Sequence, residues 1–173
     1  MSEQLLPGYW LRIGSSSERA MLVKFIQLAY QQLFPEQEDF SHLVRTVNQY
    51  LSKETPLWWV DATQAEVPGN SSVGHQPVGC IWLGNAIDQV RGDRHAHVFL
   101  LYVMPEHRRQ GIASALMRLA EDWARARGDR QIGLQVFQSN HSALRLYAQL
   151  GYKTQSLWMV KPLYPQSSSK GAL

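Results

Sequence analysis

The chain has 173 residues, 45% of them hydrophobic and 18% charged, with a formal net charge of +3. This composition provides enough apolar surface for a folded core, which excludes an intrinsically disordered chain, and the length suits one domain. The small net charge argues against an extended nucleic-acid-binding face, and the single cysteine, Cys80, excludes an internal disulfide.

The N-terminal half predicts one strand and two helices, followed by two more strands. Tyr9–Ile13 is rich in aromatic and β-branched residues and predicts a strand. Apolar residues then recur at helical spacing over two segments, the second beginning among residues 35–39, where acidic side chains suit the positive end of a helix. Leu57–Ala62 and residues 78–83 predict strands, separated by a long polar turn over residues 64–77.

The C-terminal half predicts a strand over residues 96–104, a long amphipathic helix over 111–127 and a strand at 132–136. A short helix over 140–150 follows, with Asn140 as its N-cap, and then a last strand over 152–160. The predicted order is β-α-α-β-β-β-α-β-α-β, a mixed sheet with helices packed on it. We expect one domain over residues 1–163 and a flexible tail over 164–173.

A basic turn containing a glycine joins the longest predicted strand to the longest helix, over residues 103–113. A helix N-terminus leaves backbone N–H groups without partners and carries about half a positive charge, which suits a phosphate. Gly111 allows close approach of the backbone, Ala113 leaves room, and Arg108 and Arg109 add positive charge. The same turn would also serve as an ordinary surface loop. It matches neither a P-loop nor a dinucleotide-binding glycine motif.

A second motif follows in the short helix, and the two motifs together resemble the GNAT superfamily of acetyl-CoA-dependent N-acetyltransferases. Arg108, Gly111 and Ala113 match that superfamily's Arg/Gln-x-x-Gly-x-Gly/Ala signature, which follows a Val-x-Pro strand end. Its later Asn-x-x-Ala-x-x-x-Tyr-x-x-x-Gly-Phe/Tyr pattern is matched by Asn140, Ala143, Tyr147, Gly151 and Tyr152. The element order agrees over nearly the whole chain.

The resemblance implies the GNAT fold, a mixed and mostly antiparallel sheet of about six to seven strands with about four helices, splayed between the family's strands 4 and 5. It also implies that acetyl-CoA, as co-substrate, lies in that splay without any metal. The strand backbone would pair with the pantetheine amides, the turn would hold the pyrophosphate, and Asn140 would lie near the pantetheine arm. The implied binding residues are Leu101, Tyr102, Val103, Arg108, Arg109, Gln110, Gly111, Ile112, Ala113, Ser114 and Asn140.

The implied reaction is direct attack of a neutral amine on the thioester, which needs a base or a water chain, oxyanion stabilisation and an acid for the thiolate. Tyr147 occupies the family's usual acid position; alternatively it packs as a core aromatic. The base is not evident, since Gln135 stands where some relatives carry a glutamate. His97 is a candidate base because histidine titrates near neutral pH, although it could simply lie at a strand's surface. Cys80 is expected to be a buried filler.

The acceptor amine stays open among polyamines, amino acids, aminoglycoside-like compounds and peptide N-termini or lysines. The first two helices and the middle of the sheet are rich in aromatic residues, which mostly predict core packing but could also line an amine site. Glu36, Glu38 and Asp39 could attract a cation. The alternative function is a non-catalytic acetyl-CoA-binding or regulatory module. We expect neither a nucleic-acid nor a membrane partner and a cytoplasmic location, and leave a homodimer open.

Overall fold

The computed structural model of the protein describes residues 2–63 and 76–164. It contains six strands, β1 to β6 in chain order, and four α-helices, α1 to α4. The strands are Ser2–Leu6, Tyr9–Ile13, Leu57–Ala62, Pro77–Ile87, Arg94–Val103 and Ile132–Leu134. The helices are Arg19–Leu33, His42–Tyr50, Ile112–Ala126 and His141–Gln149.

The strands form one sheet in which sequence order equals spatial order, from β1 to β6. Every neighbouring pair is antiparallel except β5 and β6, which are parallel and are connected through α3. A parallel pair requires a crossover connection, and the long amphipathic helix provides it. The expectation of a mixed, mostly antiparallel sheet with about four helices is confirmed.

Helices cover both faces of the sheet and divide the core into two clusters. One cluster packs α1 and α2 against the sheet around Phe25, Trp59 and Tyr102. The other packs α3 against the opposite face around Ile81, Val98 and Leu116, and Tyr147 of α4 contacts it. Both faces of the middle strands are therefore apolar, as their composition indicates.

A β-bulge in β5 changes which face its side chains point to. Trp82 of β4 pairs with Leu100, whereas the next residue, Leu83, pairs with Val98, so Phe99 is an extra residue. Leu100 therefore belongs to the cluster beneath α1 and α2, while Leu101 and Val98 both belong to the α3 side. The Phe99 ring lies over Gly84, where a Cβ atom would come within 2.0 Å of it.

The structure corrects the sequence prediction at both ends of the chain. Ser2–Leu6 forms a strand that the sequence pattern did not predict, because three of its five residues are polar and it pairs through a tight turn at Gly8. The predicted strand over residues 152–160 is wrong, since those residues have no ladder partner within the described chain and nearly all are exposed. The strand after α3 also ends earlier than expected, at Leu134.

The second helix begins later than predicted, at His42 rather than among residues 35–39. Asp39 instead accepts a hydrogen bond from the Ser41 N–H, at 2.8 Å, which holds the chain in a turn before the helix. The acidic residues there consequently do not lie in a helical first turn. Of the predicted long polar turn, residues 64–75 lie outside the described residues, as do residues 165–173 of the predicted tail.

Candidate active site

A cleft opens between β5 and β6 because the two strands pair over only part of their lengths. Ala96 to Val98 pair with Ile132 to Leu134, and β5 then continues to Val103 without β6 beside it. The predicted splay is therefore present. In this chain it lies between the fifth and sixth strands, because the additional strand Ser2–Leu6 shifts the count by one.

The backbone of β5 alternates between β4 and the cleft. The Met104 N–H donates to the Val78 carbonyl of the strand on the β4 side, at 2.8 Å. With the two-residue period of a strand, Tyr102 also points its backbone groups towards β4, whereas Leu101 and Val103 point theirs towards the cleft. Of the three residues predicted to pair with an extended ligand, these two present their amides to the cleft.

The turn that leads into α3 contains a run of backbone N–H groups that the helix does not use. Arg109 and Gly111 both adopt left-handed backbone conformations, with φ of 64° and 85°. Among the described residues, the N–H groups of residues 109–114 have no hydrogen-bond partner, and the first helical bond runs from Ala115 to the Gly111 carbonyl, at 3.0 Å. We call residues 109–114 the amide cradle. Six adjacent donors at the positive end of a 15-residue helix suit an anion with several oxygens, such as a pyrophosphate.

Arg108 braces the cleft from the α1 side. Its Nε donates to the Val103 carbonyl, at 2.9 Å, and its Nη2 donates to Gln32 Oε1 of α1, at 2.7 Å. Gln32 in turn donates to the Tyr102 hydroxyl, at 3.0 Å, and the guanidinium lies 5.7 Å from the centre of the Tyr102 ring. The side chain therefore connects β5 to α1, which makes Arg108 a positioning residue in addition to a local positive charge.

The N-terminal hairpin supports the cradle from the other side. The Tyr9 hydroxyl lies 3.1 Å from Nδ1 of His107, and His107 belongs to the short 3₁₀ turn just before the cradle. A Cβ atom on Gly111 would lie 3.8 Å from the Leu6 side chain. The sequence pattern does not predict this support, because the hairpin residues are distant in sequence from the cradle. The apolar and aromatic side chains of the hairpin were the one sequence feature that could have indicated such packing.

The two motif residues of α4 have defined local roles. Oδ1 of Asn140 accepts a hydrogen bond from the Ala143 N–H, at 3.2 Å, so the predicted N-cap is confirmed. Tyr147 is partly buried, and burial raises its pKa to about 12. The phenol is therefore protonated at neutral pH and able to donate a proton. Its ring lies 5.8 Å from that of Tyr152, whose hydroxyl donates to Glu121.

His97 lies where the cleft begins, on the α2 side of the sheet. It pairs with Gly133 in the last paired segment of β5 and β6, and its ring is 5.7 Å from that of Phe99. A regular strand would place the side chains of His97 and Leu101 on the same face of the sheet. The bulge at Phe99 places them on opposite faces instead. Burial, with a smaller contribution from the charge of His95, lowers the pKa of His97, which keeps the imidazole neutral and able to accept a proton.

A cluster of aromatic rings bridges the cleft at the end of α1. Phe137, which follows β6, packs edge-on against Phe34 with ring centres 4.9 Å apart, and Tyr30 lies 6.4 Å from Phe137. Of the aromatic residues considered for an amine site, Phe40, Trp59 and Trp82 are instead buried in the core. Cys80 is also fully buried, which raises the pKa of its thiol and leaves it a packing residue.

Acidic side chains lie beyond the aromatic cluster, in the loop that connects α1 to α2. Glu36, Glu38 and Asp39 are all exposed there. The Ser41 N–H lowers the pKa of Asp39 by donating to its carboxylate, so this residue is charged at neutral pH. Within residues 2–63 and 76–164 the structure has neither a cluster of three or more metal-ligating side chains nor a helix capable of crossing a bilayer.

Comparison with known families agrees with this geometry. The model of a family described as "Acetyltransferase (GNAT) family" matches residues 22–152. The chain belongs to this family. Human N-acetyltransferase 8B is 35% identical over 152 residues, 88% of this chain and 56% of the relative. Human N-acetyltransferase 8 is 35% identical over 104 residues, 60% of this chain and 41% of that protein.

The chain thus spans about half the length of the curated relatives it matches. Among solved structures, a putative acetyl transferase from Pyrococcus furiosus has the same fold, with a TM-score of 0.61 at 23% identity. The match covers 90% of this chain and 99% of that one, so the fold of this family extends over nearly the whole chain.

Proposed function

We propose that the protein transfers the acetyl group of acetyl-CoA to a primary amine, on a small molecule or a peptide, by direct attack of the amine. The amide cradle carries this proposal. Six adjacent N–H groups that have no partner among the described residues stand at the start of a long helix, next to a cleft whose wall presents the backbone N–H groups of Leu101 and Val103. The family membership and the N-acetyltransferase relatives support the same reaction class.

The residues around the cleft fit the parts of acetyl-CoA. The amide cradle would hold the pyrophosphate through its N–H groups and the positive end of α3. Leu101 and Val103 would pair with the pantetheine amides as an added strand does, and Asn140 would bind near that arm through its side-chain amide. When bound, the thioester supplies the acetyl group. Arg108 keeps the Val103 carbonyl occupied, which fixes how that strand presents its remaining amides.

The protons of the reaction are assigned to two groups of this chain. The attacking amine must lose a proton, and His97, neutral and at the start of the cleft, would accept it directly or through a water. The departing thiolate needs a proton, and the protonated phenol of Tyr147 would donate it. Neither step uses the buried thiol of Cys80.

The acceptor would enter beside the aromatic cluster of Tyr30, Phe34 and Phe137. The rings offer an apolar surface and the π-faces that attract a cationic amine, while the acidic loop attracts it over longer range. Once in the cleft the amine must be neutral to attack. The candidate classes are polyamines, amino acids, aminoglycoside-like compounds and peptide N-termini or lysines.

Release of coenzyme A from acetyl-CoA, measured over a panel of those four amine classes, tests the proposal. We expect release well above background hydrolysis with at least one class, and acetylated amine in equal amount by mass spectrometry. Acetyl-CoA binding with only background release over the whole panel would favour the alternative, a non-catalytic acetyl-CoA-binding or regulatory module. Failure to bind acetyl-CoA in calorimetry would contradict both functions.

A further inference from the structure

Aromatic side chains stand exposed on both sides of the cleft, on the face of the sheet that carries α1 and α2. Phe99 of β5 contacts Trp82, which is buried beneath those helices. Phe137, which follows β6, contacts Phe34 at the end of α1. Phe99 and Phe137 are nevertheless 36% and 48% exposed. Exposed apolar rings that gather around a cleft are typical of a ligand-binding groove.

Both rings are held in position by their neighbours. The ring centre of Phe99 lies 4.9 Å from that of Trp82 and 5.7 Å from that of Tyr50, at the end of α2. The Phe99 ring also covers Gly84, which leaves it the space of a side chain. Phe137 is held by the two rings at the end of α1. Ring contacts of this kind are favourable in themselves, so the apolar walls are formed before any ligand binds.

The elements that border the cleft on this face carry no acidic residue. None of α1, α2, β5, β6 and residues 135–140 contains an aspartate or a glutamate. The acidic residues of the α1–α2 loop are exposed beyond Phe34, and Asp39 there accepts a hydrogen bond from the Ser41 N–H. An ammonium group that leaves water needs a carboxylate or a similar partner. These elements therefore offer no partner for a second ammonium group on the acceptor.

His97 brings the reacting nitrogen close to the exposed rings. In the proposed function the attacking amine loses its proton to His97, and the His97 ring centre is 5.7 Å from that of Phe99. A group attached to the amine through a few bonds would therefore reach Phe99 on the β5 side of the cleft. Phe137 stands on the opposite side, after β6, so the same group would have an aromatic wall on each side.

We infer that the acceptor is an amine with a single positive charge and an aromatic or branched aliphatic group that packs between Phe99 and Phe137. This inference rests on the proposed function and selects among its amine classes. Burial of the apolar group and of the two exposed rings favours such an acceptor, because the gain grows with the apolar area removed from water. Polyamines and aminoglycosides are disfavoured by their additional charges. Free arylalkylamines and peptides with an apolar first residue share the required chemistry.

Acetyl transfer to matched amines tests the inference with the wild-type chain. The kcat/KM value, expressed per neutral amine, is measured for phenethylamine, ethanolamine and putrescine. We expect a preference of about a hundredfold for phenethylamine over the other two, since apolar pockets already discriminate single methylene groups. An equal or higher kcat/KM for putrescine or ethanolamine would overturn the inference.

A short peptide that begins with phenylalanine distinguishes the two sources of this chemistry. A higher kcat/KM for the peptide than for phenethylamine would support a peptide acceptor with an apolar first residue. A lower value would support a free arylalkylamine. A peptide that begins with lysine is the matched control, and a preference for it over the phenylalanine peptide would overturn the inference.

Phe137→Asp supplies the carboxylate that the cleft borders lack. Because Phe137 is half exposed, the replacement removes little internal packing. We expect the ratio of kcat/KM for phenethylamine to that for putrescine to fall about tenfold or more, through a loss with the first amine and a gain with the second. Ile13→Asp, at an exposed apolar residue of β2, is the matched control and should keep the wild-type ratio. An unchanged ratio in Phe137→Asp would overturn the inference.

The outcomes separate this inference from the proposed function. Coenzyme A release with putrescine but not with phenethylamine would overturn the inference and support acetyl transfer. Release with none of the amines would contradict the proposed function, and calorimetry of phenethylamine and ethanolamine in the presence of coenzyme A would then decide the inference. Tighter binding of phenethylamine would support it, whereas equal or weaker binding would overturn it.

Discussion

The two ends of the cleft are built from different parts of the chain. At the end near α3 the backbone provides the donors, and the left-handed conformations of Arg109 and Gly111 shape the turn that carries them. At the end near α1 the side chains provide the surface, through the rings of Tyr30, Phe34 and Phe137 and the acids of the following loop. A backbone site tolerates many sequences, whereas a side-chain site changes with each substitution.

This difference suits the proposed function, in which the protein would bind one constant co-substrate and one acceptor of its own. The constant part of acetyl-CoA needs strand amides and a helix N-terminus, which any sequence with the right glycines can supply. The acceptor needs a shape and a charge that only particular side chains provide. Substitutions at the two ends should therefore affect different kinetic constants, while those at the reacting groups between them should affect kcat.

The largest expected effect is that of Tyr147→Phe, which keeps the packing of the ring and removes the proton donor. We expect kcat to fall about a hundredfold to ten-thousandfold, the usual contribution of a general acid, with little change in either KM. Tyr152→Phe, which removes the neighbouring phenol, is the control and should keep most of the activity. An unchanged kcat in Tyr147→Phe would show that Tyr147 only packs in the protein and donates no proton in the reaction.

The pH dependence of kcat provides a second test of the role of Tyr147 as the acid. Because its pKa is raised to about 12, the acid should stay protonated, and the alkaline fall in kcat should lie above the value of about 10 of a free phenol. Steady-state rates measured up to pH 10.5 check this. A fall in kcat centred near pH 8, once amine ionisation is accounted for, would point to a different group.

His97→Gln should have the next largest effect, a loss of about a hundredfold in kcat/KM near neutral pH if the imidazole is the base. Protonation of His97 blocks proton acceptance, so the rate should fall as pH falls through its pKa. That pKa is lowered from 6.5, which places the acidic limb below pH 6.5. The limb should disappear from the pH–rate profile of His97→Gln. If the limb is unchanged, a water chain serves as the base.

Gly111→Ala should weaken the co-substrate end alone. The φ of 85° costs a residue with a Cβ atom about 1–2 kcal/mol, and relaxation of the turn would misalign the amide cradle. We expect KM for acetyl-CoA to rise about tenfold while KM for the amine stays the same. Gly128→Ala is a matched control, since Gly128 has φ of 80° at the other end of α3. It should lower the melting temperature similarly and leave both KM values unchanged.

Phe137→Ala should have the smallest effect, confined to the acceptor end. Loss of the edge-on contact with Phe34 should raise KM for the amine about threefold, in line with the worth of one aromatic pair. KM for acetyl-CoA should not change. A parallel rise in both constants would mean that the ring supports the cleft as a whole.

The fold was predictable from sequence where periodicity was strong and contacts were local. The helix of residues 112–126 and the strands of the middle of the sheet follow directly from their apolar patterns. The polar strand Ser2–Leu6 could not be found in this way, because it exists only through pairing with β2. The last predicted strand failed for the opposite reason, since its pattern is typical of a strand but it pairs with no edge of the sheet within the described residues.

The candidate site was predictable to the extent that it depends on local chain geometry. The spacing of Gly111 and Asn140 indicated a helix start and an N-cap, and the structure has both. The bracing of Val103 by Arg108 and Gln32 could not be inferred, because it joins residues 76 positions apart. The face of His97 could not be inferred either, since no sequence signal marked the bulge at Phe99.

That bulge also determines which changes of length β5 tolerates. The bulge lets Val98 and Leu101, which are three positions apart, share the α3 face, an arrangement that regular alternation would forbid. With Phe99 deleted, the two residues would be two positions apart, so a regular strand would keep both on that face and keep His95 and His97 on the other. Gly84 would lose the ring that now covers it. Deletion of His97, by contrast, would exchange the faces of all residues before it, so we expect β5 to tolerate loss of Phe99 better than loss of His97.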